Sequence, residues 1–346
     1  MAENHWQPET VIFQIVVTNS VICLGIEGTA HTVGIGIVDS GGSILAEAGH
    51  MYRPEKGGIH PREAANHHAE HVVPLIEKAL ERAGLSIKNI DLIAFSQGPG
   101  LGPCLRTVAT AARAISISLS KPVIGVNHCV AHLEIGRMKH AVEDPVMLYA
   151  SGGNTQIVAY AKGRYRVFGE TMDIGVGNML DKFGIMAGLG FYAGPRIEML
   201  ARSGRELIDL PYSVKGMDVS FSGILTAARQ MLKNGCRIED LCFSIQETVF
   251  AMLTEITERA IAQAEKNEIV LAGGVARNRR LSEMVRIMAA ERGATVFEPP
   301  FEYLIDNGVM IAWNGLLSYE SGQRMSIENT VVNQRYRTDQ VPVTWR

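Results

Sequence analysis

The sequence predicts an α/β protein in which two similar lobes face each other across a cleft. A chain of 346 residues is long enough for two medium-sized domains. A strand, a glycine-containing loop and a second strand occur in that order from residue 21 and again from residue 146. Short β-branched runs alternate with helical periodicity in both halves, and this repetition indicates a duplicated α/β unit.

The first half opens with a hairpin and continues with alternating helices and strands. Two β-branched runs flank the tight loop Glu27-Gly28-Thr29-Ala30 and predict the hairpin. One helix begins after Pro61 and ends at Gly84, and another follows a glycine-rich turn and runs to about Leu119. The last strand leads into a helix that carries a pair of histidines. The predicted strands are residues 21–26, 33–38, 44–48, 92–95 and 122–126.

The second half repeats the hairpin and then contains a long helix. Strands at 146–150 and 156–160 flank the turn Ser151-Gly152-Gly153-Asn154-Thr155. Apolar residues recur at helical spacing between about 238 and 266, which predicts one long amphipathic helix. A strand at 268–271, a glycine loop and a further helix complete this half.

These elements divide the chain into an extension and two lobes. Residues 1–20 contain no basic residue and only a short apolar run, which excludes a secretory signal and favours a dispensable extension, with Val21 as an alternative first residue. Residues 21–143 and the C-terminal segment 318–346 are expected to form lobe I. Residues 144–317 are expected to form lobe II.

Composition excludes several classes of protein. No apolar run reaches the roughly 18 residues that span a bilayer, so we expect no membrane association. A net charge of −3 argues against a nucleic-acid binder that depends on a broad basic surface, although it leaves room for a local RNA site. The five cysteines form no close pairs, which favours a reducing cytoplasm over a disulfide framework.

Three glycine loops are candidates for binding phosphate groups. The loops Glu27-Gly28-Thr29 and 151–155 each place backbone N–H groups and a hydroxyl at a hairpin tip. The loop from Gly273 and Gly274 to Asn278 lies between a strand and a helix, where a helix N-terminus can accept a nucleotide. A single hairpin glycine is usually only a turn, and the three loops together are far more specific.

His128 and His132 lie four residues apart on one helix face, so both imidazoles can bind one metal ion. An ordinary pair of histidines near a helix start is the alternative. The zinc-peptidase pattern needs Glu beside the first histidine, where this chain has Cys129. On pattern alone, Asp306 is an N-terminal cap for a helix at 307–317, and Tyr149 is a strand aromatic.

The remaining histidines receive no chemical role from the sequence. His67, His68 and His71 cluster on the first predicted helix, where a packed or solvated helix face is the favoured interpretation. No role is assigned to His50 or His60.

Eight short motifs are distributed over most of the chain. They are 24–30 (LGIEGTA), 57–65 (GGIHPREAA), 96–103 (SQGPGLGP), 125–128 (GVNH) with His132, 151–155 (SGGNT), 215–218 (KGMD), 221–223 (FSG) and 306–307 (DN). Together they resemble one protein family, the tRNA N6-adenosine threonylcarbamoyltransferases, in their archaeal and eukaryotic branch. This is the catalytic subunit of the KEOPS complex, formerly classified as an O-sialoglycoprotein endopeptidase. The resemblance runs from about residue 21 to 340.

The resemblance implies a fold and a reaction. The fold is the actin-like, Hsp70-like ATPase (ASKHA) fold, with two duplicated ribonuclease H-like lobes around a cleft. The reaction is transfer of a threonylcarbamoyl group from threonylcarbamoyl-AMP to N6 of the adenosine 3′ of the anticodon, in tRNAs that read codons beginning with A. AMP is released. ATP is the alternative nucleotide ligand.

The resemblance also implies site residues and partners. It places the catalytic centre on His128, His132 and Asp306, which bind one divalent metal ion together with Tyr149. Iron is the usual metal of that branch, and zinc suits the same ligands. The expected partners are tRNA and the other KEOPS subunits, namely a small kinase-like ATPase, a dimerising subunit and an accessory subunit. The implied substrate and nucleotide contacts are Glu27, Tyr149, Ala150, Ser151, Gly152, Gly153, Asn154, Asp181, Gly194, Glu198, Gly273, Gly274 and Asn278.

The chain departs from the family pattern at three places. It has Tyr192-Ala193-Gly194-Pro195 where the family usually has Pro-Gly-Gly-Pro, and Gly184-Ile185 where the family usually has Ala-Arg. The segment before Asp306 is Tyr303-Leu304-Ile305, where the family often has a cysteine. The added Cβ of Ala193 is expected to affect the approach of the backbone to the nucleotide.

Other functions remain open at this point. A sugar or acetate kinase of the same superfamily would share the phosphate loops without needing the three metal ligands. A scaffold subunit without turnover is the non-enzymatic alternative. A protease is the weakest of them, because the sequence shows no nucleophile–base pair.

Overall fold

The structure is a computed structural model that describes residues 20–54, 58–140, 142–300 and 302–346. Nearly all of the extension expected at 1–20 lies outside these residues. Among the helices that the structure describes, none combines the length and the apolarity needed to cross a membrane.

Strands and helices alternate along most of the chain. The strands of the described residues are β1 (Ile22–Glu27), β2 (Thr32–Asp39), β3 (Ile44–Met51), β4 (Leu92–Gly98), β5 (Val123–Asn127), β6 (Val146–Ala150), β7 (Thr155–Ala161), β8 (Arg164–Glu170), β9 (Val214–Lys215), β10 (Asp218–Val219), β11 (Glu268–Ala272) and β12 (Thr295–Phe297). The helices are α1 (Pro61–Ala83), α2 (Gly102–Leu119), α3 (His128–His140), α4 (Val176–Met186), α5 (Gly194–Ala201), α6 (Ser222–Lys233), α7 (Ile238–Ala264), α8 (Arg279–Glu291) and α9 (Gly308–Glu320).

The two large sheets have the same topology. The first has the strand order β3-β2-β1-β4-β5, and the second, read from its other edge, has the order β8-β7-β6-β11-β12. In both sheets the first three strands form an antiparallel meander, and the two later strands pair in parallel. The predicted duplication is therefore confirmed, strand by strand.

Both predicted hairpins are present in the structure. Strands β1 and β2 pair from Ile22 opposite Asp39 to Glu27 opposite Gly34. The sequence did not predict β8, although Lys162 and Gly163 form a two-residue turn in which both φ angles are positive. Such a turn joins adjacent strands with the correct twist, so an X-Gly pair between alternating residues was an available signal.

Helix α9 packs on the first sheet. A Cβ on Gly36 would lie 2.2 Å from the Val309 nitrogen, and a Cβ on Gly308 would lie 2.1 Å from the Gly36 nitrogen. Glycine is thus required at this contact, because the helix backbone rests directly on the strand backbone. Lobe II was expected to extend to residue 317. Helix α9, which begins at residue 308, packs on the sheet of lobe I.

Helix α3 lies between the lobes. Its residues Ala131 and Ile135 pack with α9 and the first sheet. Its residues Cys129, Val130 and Leu133 pack instead on the second sheet, in a cluster with Tyr149 and Val158 among others. The helix that begins with the histidine pair is therefore buried on both sides.

The C-terminal segment 318–346 contacts both lobes. The Gln97 side chain donates to the carbonyl oxygens of Asn329 and Val331 in lobe I. Further on, Trp345 donates from its indole nitrogen to the buried Glu134 carboxylate at 2.7 Å, and Val343 packs with residues of the second sheet. The segment was expected to belong to lobe I, and only its first part contacts that lobe in this way.

Candidate functional site

The start of α3 fixes the position of the histidine pair. Asn127 ends β5, and its Oδ1 atom accepts hydrogen bonds from the backbone nitrogens of Cys129 at 3.0 Å and Val130 at 3.2 Å. This bonding pattern is that of a helix N-cap, so the first turn begins at His128 and His132 follows one turn later. Asn127 belongs to the motif 125–128, but the sequence analysis did not predict that it caps the helix. An asparagine directly before a helical segment was the available signal.

Asp306 completes a cluster with the two histidines. Its Oδ1 atom lies 3.2 Å from Nε2 of His128 and 3.3 Å from Nε2 of His132. One ligand atom from each residue falls within 4.8 Å of the other two. Both imidazoles are buried, and the Asp306 side chain is 15% exposed.

The cap assigned to Asp306 on pattern alone belongs to its neighbour. The Asn307 side chain accepts a hydrogen bond from the Met310 nitrogen at 2.9 Å and caps α9. An amide oxygen can cap the helix as well as a carboxylate can, and the Asp306 carboxylate faces the histidines instead.

The chemistry of these donors suits a divalent transition-metal ion. Two imidazole nitrogens and one carboxylate oxygen are ligands that iron and zinc share. The Nε2 atoms of both histidines face the Oδ1 atom of Asp306, so the three donor atoms converge. The three side chains therefore fit a metal ion, and the donor set does not choose between iron and zinc.

The pKa values of the two histidines shift in opposite directions. Burial disfavours the His128 imidazolium, but the carboxylates of Glu27 and Asp306 outweigh burial and raise the pKa of His128 well above its usual value. Burial lowers the pKa of His132. Burial would raise the pKa of Asp306, but the two imidazoles reverse this and hold it well below its usual value. The lowered pKa keeps the Asp306 carboxylate ionised, which is the form that binds a cation.

Tyr149 lies beside the cluster at the end of β6. Its ring centroid is 5.0 Å from that of His132 and 6.4 Å from that of His128. Burial raises the pKa of the Tyr149 hydroxyl, so it stays neutral at physiological pH. Its position next to both imidazoles is compatible with the expected contact to a metal ion.

Glu27 lies behind His128 and not on an exposed surface. The residue is 0% exposed, and its Oε1 atom accepts hydrogen bonds from the hydroxyl of Thr29 at 2.6 Å and from the Thr29 nitrogen at 2.8 Å. Its Oε2 atom lies 3.2 Å from Nδ1 of His128. A direct substrate contact was expected for Glu27, whereas its position makes it a support for the imidazole.

The loop at 151–154 follows β6 and lies at the start of α4. The carbonyl oxygens of Ser151 and Gly152 accept hydrogen bonds from the nitrogens of Gly177 at 3.0 Å and Asn178 at 2.9 Å. Gly153 is exposed, and a Cβ built there would meet no described atom within 4 Å. Crowding in the folded protein does not require a glycine at this position. A ligand can therefore approach the backbone of Gly153.

The third glycine loop lies against the second. Gly273 has a φ of +91°, and a Cβ there would lie 2.4 Å from the Ala150 carbonyl oxygen. Residues Gly274–Arg277 form a short 3₁₀ turn, and Asn278 then caps α8 by accepting from the Arg280 nitrogen at 2.9 Å. Since β6 and β11 pair in parallel, both loops follow the carboxyl ends of adjacent strands, where ligands bind in open α/β sheets.

Asp181 and Glu198 connect the helices next to these loops. The Asp181 carboxylate on α4 accepts a hydrogen bond from the Ala193 nitrogen at 2.8 Å, immediately before Gly194 begins α5. The Glu198 carboxylate on α5 lies 3.4 Å from the Arg279 nitrogen at the start of α8. The expected nucleotide residues of lobe II are thus joined through neighbouring helix ends.

Two of the departures from the family pattern, at Gly184 and Ala193, compensate each other. A Cβ on Gly184 would lie 2.0 Å from the Cβ of Ala193, which is itself 0% exposed. The methyl group of Ala193 therefore occupies the space above Gly184 in the core and does not face an open surface. The expected interference of Ala193 with a nucleotide is not supported by this position.

The sequence comparisons identify the family. A family model described as tRNA N6-adenosine threonylcarbamoyltransferase matches residues 43–313. The enzyme of that name from Thermococcus kodakarensis is 59% identical over 326 residues, which is 94% of this chain and 100% of that protein. The chain belongs to this family. The tRNA N6-adenosine threonylcarbamoyltransferases are, by their name, transferases that modify tRNA.

A longer relative in the same family contains additional sequence. The probable bifunctional tRNA threonylcarbamoyladenosine biosynthesis protein of Methanothermobacter thermautotrophicus is 58% identical over 325 residues. The match covers 94% of this chain and 61% of that protein. The chain therefore spans about three fifths of that relative's length.

Solved structures of distant proteins agree on the fold. HypF from T. kodakarensis superposes with a TM-score of 0.64 at 14% identity, over 90% of this chain and 50% of that one. Component A of the Acidaminococcus fermentans (R)-2-hydroxyglutaryl-CoA dehydratase superposes with a TM-score of 0.55 at 13% identity. The match covers 86% of this chain and 98% of that one. With the duplicated sheets, they establish the actin-like, Hsp70-like ATPase fold.

Proposed function

We propose that the protein transfers the threonylcarbamoyl group of threonylcarbamoyl-AMP to N6 of the adenosine 3′ of the anticodon in tRNAs that read codons beginning with A. The observation that carries this proposal is the placement of the His128, His132 and Asp306 cluster next to Tyr149, at the end of the strand that leads into the 151–154 loop. Family membership and this geometry point to the same chemistry.

The reaction requires positioning more than bond activation. The N6 nitrogen attacks the carbamoyl carbon, the bond from that carbon to the phosphate oxygen breaks, AMP leaves and N6 loses a proton. The mixed anhydride already carries a good leaving group, so orientation and charge stabilisation supply most of the rate enhancement. The backbone around Gly152 and Gly153 holds the adenylate, and Asp181 and Glu198 accept hydrogen bonds from ribose hydroxyls.

His128, His132 and Asp306 hold one divalent metal ion, with Tyr149 as a further contact. When bound, the ion neutralises phosphate charge or polarises the carbamoyl carbonyl. Glu27 keeps the His128 ring oriented from behind, which is the usual arrangement of a carboxylate behind a metal-binding histidine. Iron is the first candidate and zinc the second.

We further propose that the protein acts in the cytoplasm as the catalytic subunit of a KEOPS complex. A net charge of −3 supports the idea that tRNA binding depends on other subunits, namely a small kinase-like ATPase, a dimerising subunit and an accessory subunit. Arg277 and Arg279 near the third glycine loop add positive charge at the same end of the second sheet, whereas the guanidinium of Arg280 is paired with Glu247 and Glu283.

Mass spectrometry of tRNA nucleosides tests the proposal. Purified protein of known metal content is combined with its partner subunits, unmodified tRNA and threonylcarbamoyl-AMP. The expected result is threonylcarbamoyladenosine in tRNAs that read ANN codons, with AMP released in equal amount. Nucleotide binding without modified tRNA would favour a scaffold role, and phosphorylation of a small molecule would favour a kinase.

A further inference from the structure

A second group of histidines lies outside the cleft cluster, on the first lobe. His50 on β3 and His67 and His71 on α1 place one ligand atom each within 4.8 Å of the others. The ring centroids of His50 and His71 are 4.2 Å apart, as are those of His67 and His71. His67 and His71 are one helix turn apart, and His50 reaches them from the neighbouring strand.

A hydrogen bond fixes which ring nitrogen of His71 is available. The Nδ1 atom of His71 lies 2.7 Å from the carbonyl oxygen of His67, so Nδ1 carries the proton and donates it. The lone pair of His71 is therefore on Nε2. Fixing the tautomer by a backbone carbonyl is the usual device for preparing a histidine to bind a metal ion.

We propose that His50, His67 and His71 form a second metal site, which binds a borderline divalent transition metal such as Zn²⁺ through three imidazoles and leaves a coordination position open to solvent. His50 is exposed, so the ion is reached from the surface. Imidazole nitrogens suit zinc, copper and nickel, and three of them with one open position make a recognised zinc site.

Binding requires a local rearrangement of side chains. The Nδ1 atom of His50 and the Nε2 atom of His67 are 2.6 Å apart, which is a hydrogen-bond distance. Two ligands at about 2.0–2.1 Å from a tetrahedral ion lie further apart than this, so the ion replaces the hydrogen bond and the rings rotate from their stack. The site then joins β3 to α1 by coordination in place of one hydrogen bond.

Zinc titration of the full-length, untagged protein tests this inference. The metal-free wild type is compared with the double variant His67→Ala/His71→Ala and with His60→Ala, an exposed histidine whose side chain does not cap α1 among the described residues. Zinc equivalents are measured by calorimetry, and the ligand field is followed with Co²⁺ as a visible probe. The variant His128→Ala/His132→Ala reports on the cleft cluster separately.

The expected result is one zinc equivalent fewer in His67→Ala/His71→Ala, with no loss in His60→Ala and with the equivalent retained in His128→Ala/His132→Ala. The exposed single variant His50→Ala is expected to bind at this site about tenfold or more weakly, which keeps the test valid if the double variant does not fold. Equal zinc equivalents and equal Co²⁺ spectra in the wild type and in the histidine-group variants would overturn the proposal and leave only a hydrogen-bonded stack.

Discussion

The carboxylate of Glu27 lies 3.2 Å from Nδ1 of His128, although the two residues are 101 positions apart in the chain. Both side chains are buried. This contact joins the tip of the first hairpin to the first residue of α3, so the Glu27 side chain can orient the imidazole. It makes Glu27 a positioning residue for the cluster.

Replacement of Glu27 by Gln is expected to weaken metal binding by about 10- to 100-fold, because a neutral amide orients the imidazole less strongly and makes it a weaker ligand. Metal affinity is measured by calorimetry on metal-free protein, with circular dichroism as the check on folding. Glu47→Gln, a partly buried carboxylate elsewhere in lobe I, is the matched control. An unchanged affinity in Glu27→Gln would remove this role.

The double variant His128→Ala/His132→Ala is expected to lose metal at the cleft and tRNA modification together while keeping its fold. Two of the three ligands are then absent, and the remaining carboxylate is too weak to hold the ion alone. Metal analysis and nucleoside mass spectrometry on the same sample check this result. Full modification by a variant without metal would separate the ion from the reaction.

Gly153→Ala is expected to leave stability unchanged and to raise KM for threonylcarbamoyl-AMP about tenfold, equivalent to about 1.4 kcal/mol. Its Cβ would point into space that no described residue occupies, so only a ligand would meet it. Thermal unfolding and steady-state kinetics are measured together. Gly273→Ala is the contrasting variant, because its Cβ would meet the backbone and it should lose stability. A normal KM in Gly153→Ala would argue against close approach of the adenylate to this loop.

Gly184 and Ala193 are expected to behave as a coupled pair. Gly184→Ala alone should destabilise the protein by about 1–3 kcal/mol, because its Cβ would collide with that of Ala193. Adding Ala193→Gly should recover most of this loss, with a coupling energy of about 1 kcal/mol or more. Urea unfolding of both single variants and the double variant completes the cycle. Additive effects would show that the methyl groups do not compete for one space.

Asp173 should give a pH-dependent contribution to stability. Burial alone would raise its pKa, but hydrogen bonds from Ser222, Phe221 and Ile174 outweigh it and hold the pKa at about 2. A carboxylate with a lowered pKa stabilises the fold above its unfolded pKa of about 3.9. This contribution decreases as the pH falls towards about 2.

The exposed position of Asp173 limits the size of the effect. Asp173→Asn should cost about 1 kcal/mol at pH 7, and the difference from the wild type should shrink below about pH 4. Chemical unfolding of both proteins at pH 7, 5 and 3 measures the difference. A difference that stays constant over this range would contradict the assigned ionisation.

Local patterns predicted the parts of the fold that depend on neighbouring residues. The hairpin tips at 27–30 and 151–154 were found because glycine and β-branched residues determine turns and strands over short distances. The spacing of His128 and His132 likewise depends only on helix geometry. No helix was predicted for the residues of α4 to α6, although Ile224, Ala228 and Met231 of α6 recur at helical spacing.

Contacts between distant residues required the structure. Nothing near Asp306 in the sequence distinguishes a cap from a ligand, and the assignment depends on which of Asp306 and Asn307 faces α3. The complementarity of Gly184 and Ala193 and the approach of His50 to α1 depend on packing in the same way. A net charge of −3 does not indicate a tRNA substrate, and only the family resemblance predicted one.

The equal strand order of the two sheets makes the tips of the two hairpins counterparts of each other. One copy carries a carboxylate turned inward to His128, and the other carries a bare, outward-facing Gly153. The two hairpins therefore share one architecture but present different groups at their tips, a buried carboxylate that contacts His128 in the first and exposed backbone in the second.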